Sequence, residues 1–96
     1  MKYRSRSDIV GLILDAANGG ATKTKIMYKS YLSFAQLRDY LATLTEQGLI
    51  EYEEIGHLFK TTSKGLRVLK LQNEINEEFD AIDDDRKSRV AVELRD

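Results

Sequence analysis

Side chains able to bind nucleic acid are concentrated in the first half of the chain. Their ammonium, guanidinium and amide groups can contact phosphates or base edges, which is the chemistry of DNA recognition. Gln36 can form two hydrogen bonds with adenine, and Arg38 can bind guanine or a phosphate. The lysines are the expected phosphate contacts, and the alternative is that they only form the solvated face of a helix. The candidate interface residues are Lys23, Lys25, Lys29, Ser33, Gln36, Arg38 and Lys60.

The uneven distribution of charge supports this placement of the interface. Residues 1–44 contain seven Lys or Arg and three Asp, a balance of +4. Residues 66–96 contain six Lys or Arg and nine Asp or Glu, a balance of −3, and the whole chain has a net charge of −1. A basic front half and an acidic tail predict a binding face joined to an appendage that is not part of it.

Two short helices are predicted to position these side chains. The first starts at residue 22 or 23 and ends at 29, and the second covers residues 34–47, with Ser33 as its N-cap. Gly48 follows the second helix, where a left-handed residue is favoured. Two such helices in succession predict a helix-turn-helix, whose second helix lies in the major groove of DNA. The second helix is expected to bury one apolar stripe, made of Phe34, Leu37, Leu41 and Leu44.

Another helix is predicted before this pair, and a hairpin after it. The first helix begins at Ser7 and ends at the turn-forming sequence Asn18-Gly19-Gly20. Residues 49–53 and 58–61 are predicted strands, joined by a turn in which Gly56 is the flexible point. This order of elements predicts a winged helix-turn-helix, in which the hairpin is the wing.

Charge argues against strong DNA contacts from the predicted hairpin. The segment Glu51-Tyr52-Glu53-Glu54 is acidic, whereas a strand that touches DNA gains from lysine or arginine. His57, in the turn, is expected to be a solvated polar residue. Tyr28 and Tyr31 lie near the lysines, and their rings are expected to pack into the domain.

The last helix is predicted to begin after a cap at Thr62 or Ser63 and to extend to residue 82. Leu66 and Leu69 are expected to pack onto the domain. A second apolar stripe continues beyond the core that so small a domain offers, so we expect a second copy of the chain to cover it. The alternative is that this helix folds back onto its own domain. The stripe residues are Val68, Leu71, Ile75, Phe79 and Ile82.

Two segments carry a resemblance to a known family. They are KTKIMYKSYLSFAQLRDYLATLTEQGLI and FKTTSKGLRVL. Over roughly residues 8–80 the chain resembles the small archaeal winged-helix DNA-binding proteins of about ten kilodaltons. The resemblance implies a role as a chromatin-associated protein or transcription regulator. It also implies a homodimer, joined by an antiparallel coiled coil of the last helices.

Composition argues against several other classes of function. The chain has no cysteine and one histidine, so disulfides, thiolate zinc sites and thiol nucleophiles are absent, and we expect no metal or cofactor. No catalytic arrangement or small-molecule substrate site is evident, and we expect that the protein is not an enzyme. No apolar segment is long enough to cross a membrane, and a cytoplasmic location is expected.

The predicted fold is therefore mainly α (α+β), a winged helix-turn-helix with a long C-terminal dimerisation helix. The winged domain covers residues 1–65, the dimerisation helix residues 63–82, and a polar tail residues 83–96. The expected partners are double-stranded DNA and a second copy of the chain. The alternative function is a winged-helix module that binds another protein and does not bind DNA.

Overall fold

Four helices and one two-stranded sheet make up the part of the chain that the computed structural model describes, which is residues 5–75, 77 and 78. The first five elements are α1 (Arg6–Ala16), α2 (Lys23–Ser30), α3 (Phe34–Glu46), β1 (Ile50–Glu53) and β2 (Leu58–Thr61). Helix α4 follows over residues 63–75, and residues 77 and 78 are also helical. This order confirms the predicted winged helix-turn-helix fold. The predicted extension of α4 to residue 82, including Phe79 and Ile82, and the tail over 83–96 lie outside the described residues.

Helix α1 begins earlier than predicted, because Ser5 and not Ser7 is its N-cap. The Ser5 hydroxyl accepts a hydrogen bond from the Asp8 amide at 3.1 Å, and the Asp8 carboxylate accepts one from the Ser5 amide at 3.2 Å. This reciprocal pair satisfies two amides near the helix start that would otherwise lack partners. The predicted glycine stop is confirmed, since Gly19 and Gly20 have φ angles of 85° and 103°.

Helix α2 follows Thr22, its N-cap, and ends at Ser30, one residue beyond the predicted end. The Ser30 side chain is fully buried, and its hydroxyl donates to the Ile26 carbonyl at 2.6 Å. This bond gives a partner to a hydroxyl that is buried away from water. Tyr31 then ends α2 in a left-handed conformation, with a φ angle of 56°.

Helix α3 has the predicted N-cap and most of the predicted buried stripe. The Ser33 hydroxyl accepts from the Gln36 amide at 3.2 Å, and the leucines of the stripe are all buried. The prediction for Phe34 is wrong, since this side chain is 57% exposed. Phe34 is the first residue of α3, where the helix extends past the core, and the Lys23 ammonium lies 4.1 Å from its ring centre.

The two strands form an antiparallel hairpin over residues 50–61, which we call the wing. Its root is the pair Ile50 and Thr61. Gly56 was expected to be the flexible residue of the turn, but His57 is the one with a left-handed φ angle, 52°. A left-handed residue directly before the second strand is a common way to return the chain into a hairpin.

The wing is joined to the helices near its root. Ala21 exchanges two backbone hydrogen bonds with Phe59, at 2.9 and 2.8 Å. The buried Thr61 hydroxyl donates to the Leu14 carbonyl of α1 at 2.6 Å. These bonds connect β2 both to α1 and to the segment before α2, and so they set the position of the wing relative to the helix-turn-helix.

Helix α4 packs against the domain at its start. Thr62 is its N-cap, because its hydroxyl accepts from the amide three residues later at 3.1 Å. Leu69 is buried as predicted, whereas the prediction for Leu66 is wrong because this side chain is exposed. Gln72 donates to the carbonyl and hydroxyl oxygens of Ser7, and this contact ties α4 to α1. The buried apolar core comprises Ile13, Leu14, Ala16, Ala17, Ala21, Ile26, Leu32, Leu37, Leu41, Leu44, Leu49, Ile50 and Leu69.

Candidate nucleic-acid interface

Helix α2 presents the three predicted lysines in two different ways. Lys25 and Lys29 are exposed, and neither has an ion-pair partner within the described residues. Lys23 is half-buried, and its ammonium lies over the face of the Phe34 ring. Such cation–π contacts hold a cation in one place at modest energy, about 0.5–1 kcal/mol at exposed sites. The charges of Lys25 and Lys29 are therefore solvated, whereas that of Lys23 is positioned by Phe34.

The start of α3 brings Ser33 and Gln36 together in a capping box. The Gln36 side-chain oxygen accepts from the Ser33 amide at 3.0 Å, in return for the cap described above. This contact uses the acceptor atom with which a glutamine would read adenine, but leaves its amide NH₂ as a donor. To form both hydrogen bonds with adenine, Gln36 must therefore use the second lone pair of the same oxygen or give up its hydrogen bond with the Ser33 amide.

Arg38 and Asp39 form an exposed pair on α3. The guanidinium Nε lies 3.8 Å from a carboxylate oxygen of Asp39. Exposed pairs of this kind contribute about 0–1 kcal/mol, because water and salt screen the attraction. Arg38 thus remains able to exchange this partner for a phosphate.

A groove of about 370 Å³ lies between α3 and the wing, and we call it the wing groove. It brings together two predicted interface residues, Lys23 and Arg38, which are separate in sequence. Lys60 and the capping-box residues are not among those that line it. Two cations beside an apolar floor form a place where an anionic backbone can approach. The lining residues are Lys23, Arg38, Leu41, Ala42, Thr45, Tyr52 and Phe59.

The wing itself is acidic on its exposed surface, as the sequence suggests. Lys60 is exposed on β2, and its register partner on β1 is Glu51. Opposite charges at paired positions attract one another, so the field of Lys60 is partly cancelled. At the tip, Tyr52 and His57 share a hydrogen bond of 2.9 Å between the phenol oxygen and Nδ1. His57 was expected to be only a solvated residue, but its ring also has a hydrogen-bond partner within the wing.

Two exposed tyrosines were wrongly predicted to be packed. Tyr28 is 72% exposed and Tyr31 is 77% exposed. The inward positions of α2 are taken by Ile26 and Ser30, both fully buried, which leaves Tyr28 on the outer side. A signal for this was present in the sequence, because Tyr28 is three residues after Lys25 and thus shares a helix face with a lysine. Both phenols are additional polar groups beside the lysines.

Two further properties of the described residues limit the kinds of site available. No helix among them is both long and apolar enough to span a membrane. Within residues 5–75, 77 and 78, no group of three or more His, Asp or Glu side chains is placed to hold a metal ion.

Fold and sequence together define the class of protein. The chain belongs to the winged helix-turn-helix family, whose model matches residues 3–80. Its structure is similar to that of Sso10a-2, a DNA-binding protein from Sulfolobus solfataricus, with a TM-score of 0.79 and 17% sequence identity, covering 93% of this chain and 96% of that chain. The predicted resemblance to small archaeal winged-helix proteins is thereby confirmed at the level of the fold.

A second solved structure has a similar fold. ZitR from Lactococcus lactis, determined in complex with DNA, matches with a TM-score of 0.66 and 21% sequence identity. The match covers 93% of this chain but 64% of ZitR, so this chain corresponds to part of that protein. No curated protein matches the sequence with significant similarity.

Proposed function

We propose that this protein binds double-stranded DNA, with α3 in the major groove, as a transcriptional regulator or chromatin-associated protein. The observation that carries the proposal is the group of solvated cations on the front of a helix-turn-helix. Lys25 and Lys29 have no ion-pair partner among the described residues, and Lys23 and Arg38 flank the wing groove. Two proteins of similar fold, one described as DNA-binding and one solved with DNA, support the proposal.

Phosphate contacts are proposed to provide most of the affinity. Lys25 and Lys29 bind the backbone beside α2, while Lys23 and Arg38 bind the strand that passes between α3 and the wing. Base reading falls chiefly to Gln36, whose amide group donates while its oxygen is engaged in the capping box. Because Gln36 is the main side chain that contacts bases and its oxygen is already engaged, we expect modest sequence discrimination, of the order of 1–3 kcal/mol per base contact.

Ser33 and Lys60 are proposed to make weaker contacts. The Ser33 hydroxyl oxygen accepts the capping hydrogen bond, so its proton is available to donate to a phosphate. Lys60 extends from β2 opposite Glu51, and this neighbour reduces its attraction for the backbone. The wing is therefore proposed to limit the affinity that the helices provide.

A titration of duplex DNA at several salt concentrations tests the proposal. The logarithm of the association constant should fall by about 0.9 per logarithmic unit of salt for each phosphate neutralised. Lys25→Ala should reduce this slope by about one contact, while Lys70→Ala, an exposed position on α4, serves as the matched control and should leave it unchanged. A flat salt dependence, or no complex at low salt, would rule out DNA binding.

We further propose that α4 joins two copies of the chain. Residues 63–82 then form the dimerisation helix, beside a DNA-binding domain over residues 1–65 and a polar tail over 83–96. On α4, Leu71 and Ile75 are 58% and 53% exposed, whereas Val68 is half-buried against its own core. A second copy offers cover for the exposed pair, and for Phe79 and Ile82 in the continuation of the stripe.

The oligomeric state in solution tests this part of the proposal. Light scattering after gel filtration should give a dimer for the unaltered chain and a monomer for Ile75→Asp, because the aspartate places a charge in the apolar contact. Asn73→Asp adds the same charge at another exposed position of α4 and should keep the dimer. A monomeric unaltered chain would refute the dimer and leave DNA binding to be judged by the salt titration.

The acidic wing favours a second candidate function, that of a module binding another protein. Ile55 at the tip is 96% exposed and directly follows Glu53 and Glu54. An apolar side chain beside carboxylates suits a partner with a basic rim around an apolar pocket. This function predicts no complex with duplex DNA at any salt concentration and loss of the partner in Ile55→Ser.

A further inference from the structure

A second groove runs along the flank of α3 that faces α1, and we call it the α1–α3 groove. Its volume is about 330 Å³. Its floor is apolar, since Leu44 and Leu49 are buried and Val10 is half-buried. Its other lining groups carry charge or can form hydrogen bonds. They are Arg6, Asp39, Tyr40, Thr43 and Gln47.

The two charged groups of this groove have opposite signs and come from different helices. Arg6, on α1, has no ion-pair partner among the described residues. Among the described residues, the Asp39 carboxylate on α3 has one ion-pair contact, the long one with Arg38, which lies outside the groove lining. Arg6 and Asp39 are thus placed beside the same cavity without neutralising each other. A ligand that carries both a carboxylate and an ammonium satisfies both.

We propose that the α1–α3 groove binds a free amino acid with an apolar side chain. Arg6 binds its carboxylate through the guanidinium, which is suited to planar two-oxygen groups. Asp39 binds its ammonium, and the side chain lies on the floor formed by Val10, Leu44 and Leu49. The Thr43 hydroxyl and the Gln47 amide are polar groups at the rim.

The size of the groove agrees with this class of ligand. Small-molecule sites typically have volumes of about 300–1,000 Å³, with an apolar lining and a few polar groups that fix orientation. At about 330 Å³, the α1–α3 groove is at the small end of that range and has room for one amino acid. The α3 residues that line this groove differ from those that line the wing groove, and the two sites share one link, the ion pair between Asp39 and Arg38.

A titration of the isotope-labelled full chain with leucine, followed by the NMR signals of backbone amides, tests the site. We expect saturable shifts at Val10, Thr43 and Leu49, with a Kd of about 1 mM or tighter. Isocaproate lacks the ammonium of leucine and isoamylamine lacks its carboxylate, and each should bind at least about tenfold more weakly. Serine, which keeps both charges without the apolar side chain, should also bind more weakly.

Charge-removing variants identify the two anchoring groups. Arg6→Gln and Asp39→Asn should each raise the Kd for leucine by about tenfold. Arg67→Gln on α4 and Glu46→Gln on α3 remove the same charges at exposed positions outside the groove lining, and they should leave the Kd unchanged. All four residues are exposed, so the variants are expected to fold, which a thermal unfolding measurement of each variant checks.

Three results would overturn the proposal. The first is the absence of saturable shifts with leucine. The second is equal binding of isocaproate or isoamylamine, which would mean that only one charge or the apolar floor matters. The third is a set of shifts centred on the wing groove. The ligand titration contains no DNA, so its failure is independent of the outcome of the duplex titration.

Discussion

The helix-turn-helix and the wing are held in place by different means. Helices α2 and α3 are both capped, and each buries an inner face in the core. The wing has short strands in which half of the residues are exposed, and its buried residues, Ile50 and Thr61, are both at the root. The helices are therefore held in place by packing along their length, whereas the wing is held by a few contacts at one end.

The two regions also differ in charge. The helix-turn-helix presents Lys25 and Lys29, whereas the wing presents Glu51, Glu53 and Glu54. If DNA lies against α3, the helices attract its backbone while the wing repels it. A winged fold therefore does not by itself make the wing a DNA contact.

The following substitutions test both differences between the two regions, namely how they are held in place and what charge they carry. They begin with the largest expected effect.

Gly65→Ala should produce the largest loss of stability, about 3 kcal/mol or more. A Cβ at this position would clash with the Leu49 carbonyl oxygen and with the Thr61 side chain, both near the root of the wing. The Leu49 carbonyl cannot move aside without shifting α4, because it accepts a hydrogen bond from the amide of Thr62, the cap of that helix. Chemical denaturation of the variant and the unaltered chain measures the difference.

Gly11→Ala is the matched control for this prediction. Its added methyl group would meet the end of the Gln72 side chain, which is flexible but gives up its hydrogen bonds to Ser7 if it rotates away. Alanine also favours the interior of α1 by about 1 kcal/mol over glycine. The stability should therefore change by no more than about 1 kcal/mol, in either direction. Equal losses at both glycines would contradict the close approach of α4 to the wing root.

Thr61→Val should cost about 1–3 kcal/mol. The change keeps the shape of the side chain but leaves the buried Leu14 carbonyl without the hydroxyl that donates to it. Thr43→Val provides the comparison, because its hydroxyl bonds the Asp39 carbonyl at an exposed position where water can replace it. A similar, small effect at both threonines would show that the root hydrogen bond does not hold the wing.

Ser33→Ala should cost about 1 kcal/mol, because the amide of Gln36 loses the hydroxyl that caps α3. Ser63→Ala changes an exposed serine in the first turn of α4, next to the true cap Thr62, and should have an effect within about 0.5 kcal/mol. Thermal or chemical unfolding measures both. An unaffected Ser33→Ala variant would mean that the cap does not stabilise α3.

Glu54→Gln should strengthen binding to duplex DNA by about twofold, as expected for removal of one exposed repulsive charge worth roughly 0.5 kcal/mol. Glu74→Gln removes the same charge from α4 and should leave the affinity unchanged. Titrations at low salt measure the difference. Equal affinities for Glu54→Gln and the unaltered chain would place the tip of the wing away from DNA.

His57→Gly should have the smallest effect, within about 0.5 kcal/mol, because two contributions oppose each other. Glycine relieves the strain of the left-handed backbone, while the hydrogen bond between the His57 ring and the Tyr52 hydroxyl is lost. Tyr52→Phe removes the hydrogen bond alone and should be the less stable of the two. A large loss in His57→Gly would mean that the tip contributes as much as the root.

Much of the fold could be predicted from local patterns. The cap at Ser33 and the left-handed Gly48 follow from interactions within a few residues along the chain, which the sequence displays directly, whereas the choice of Thr62 over Ser63 as the cap of α4 came from the structure. The order of elements followed from such signals together with the leucine stripe of α3. The start of α1 was misplaced because Ser5 and Ser7 are both acceptable caps, and only the reciprocal bond with Asp8 distinguishes them.

The candidate site was less predictable, because exposure depends on where the core ends. Phe34 continues the apolar stripe in sequence, yet it extends beyond the packed helices and meets Lys23. Tyr28 and Tyr31 are large and partly apolar, but the inner face of α2 is already filled by other residues. Composition and spacing carry no information about which end of a stripe the neighbouring elements cover.

The sequence by itself therefore determined the order of the elements, the cap of α3 and the identity of the basic region, because these depend on neighbours along the chain. The tertiary structure alone decided which distant groups meet. Thr61 reaches Leu14, Lys23 joins Arg38 at the wing groove, and Arg6 and Asp39 line the α1–α3 groove. Such meetings depend on the angles at which helices cross, which the packing of the whole core sets and no local pattern specifies.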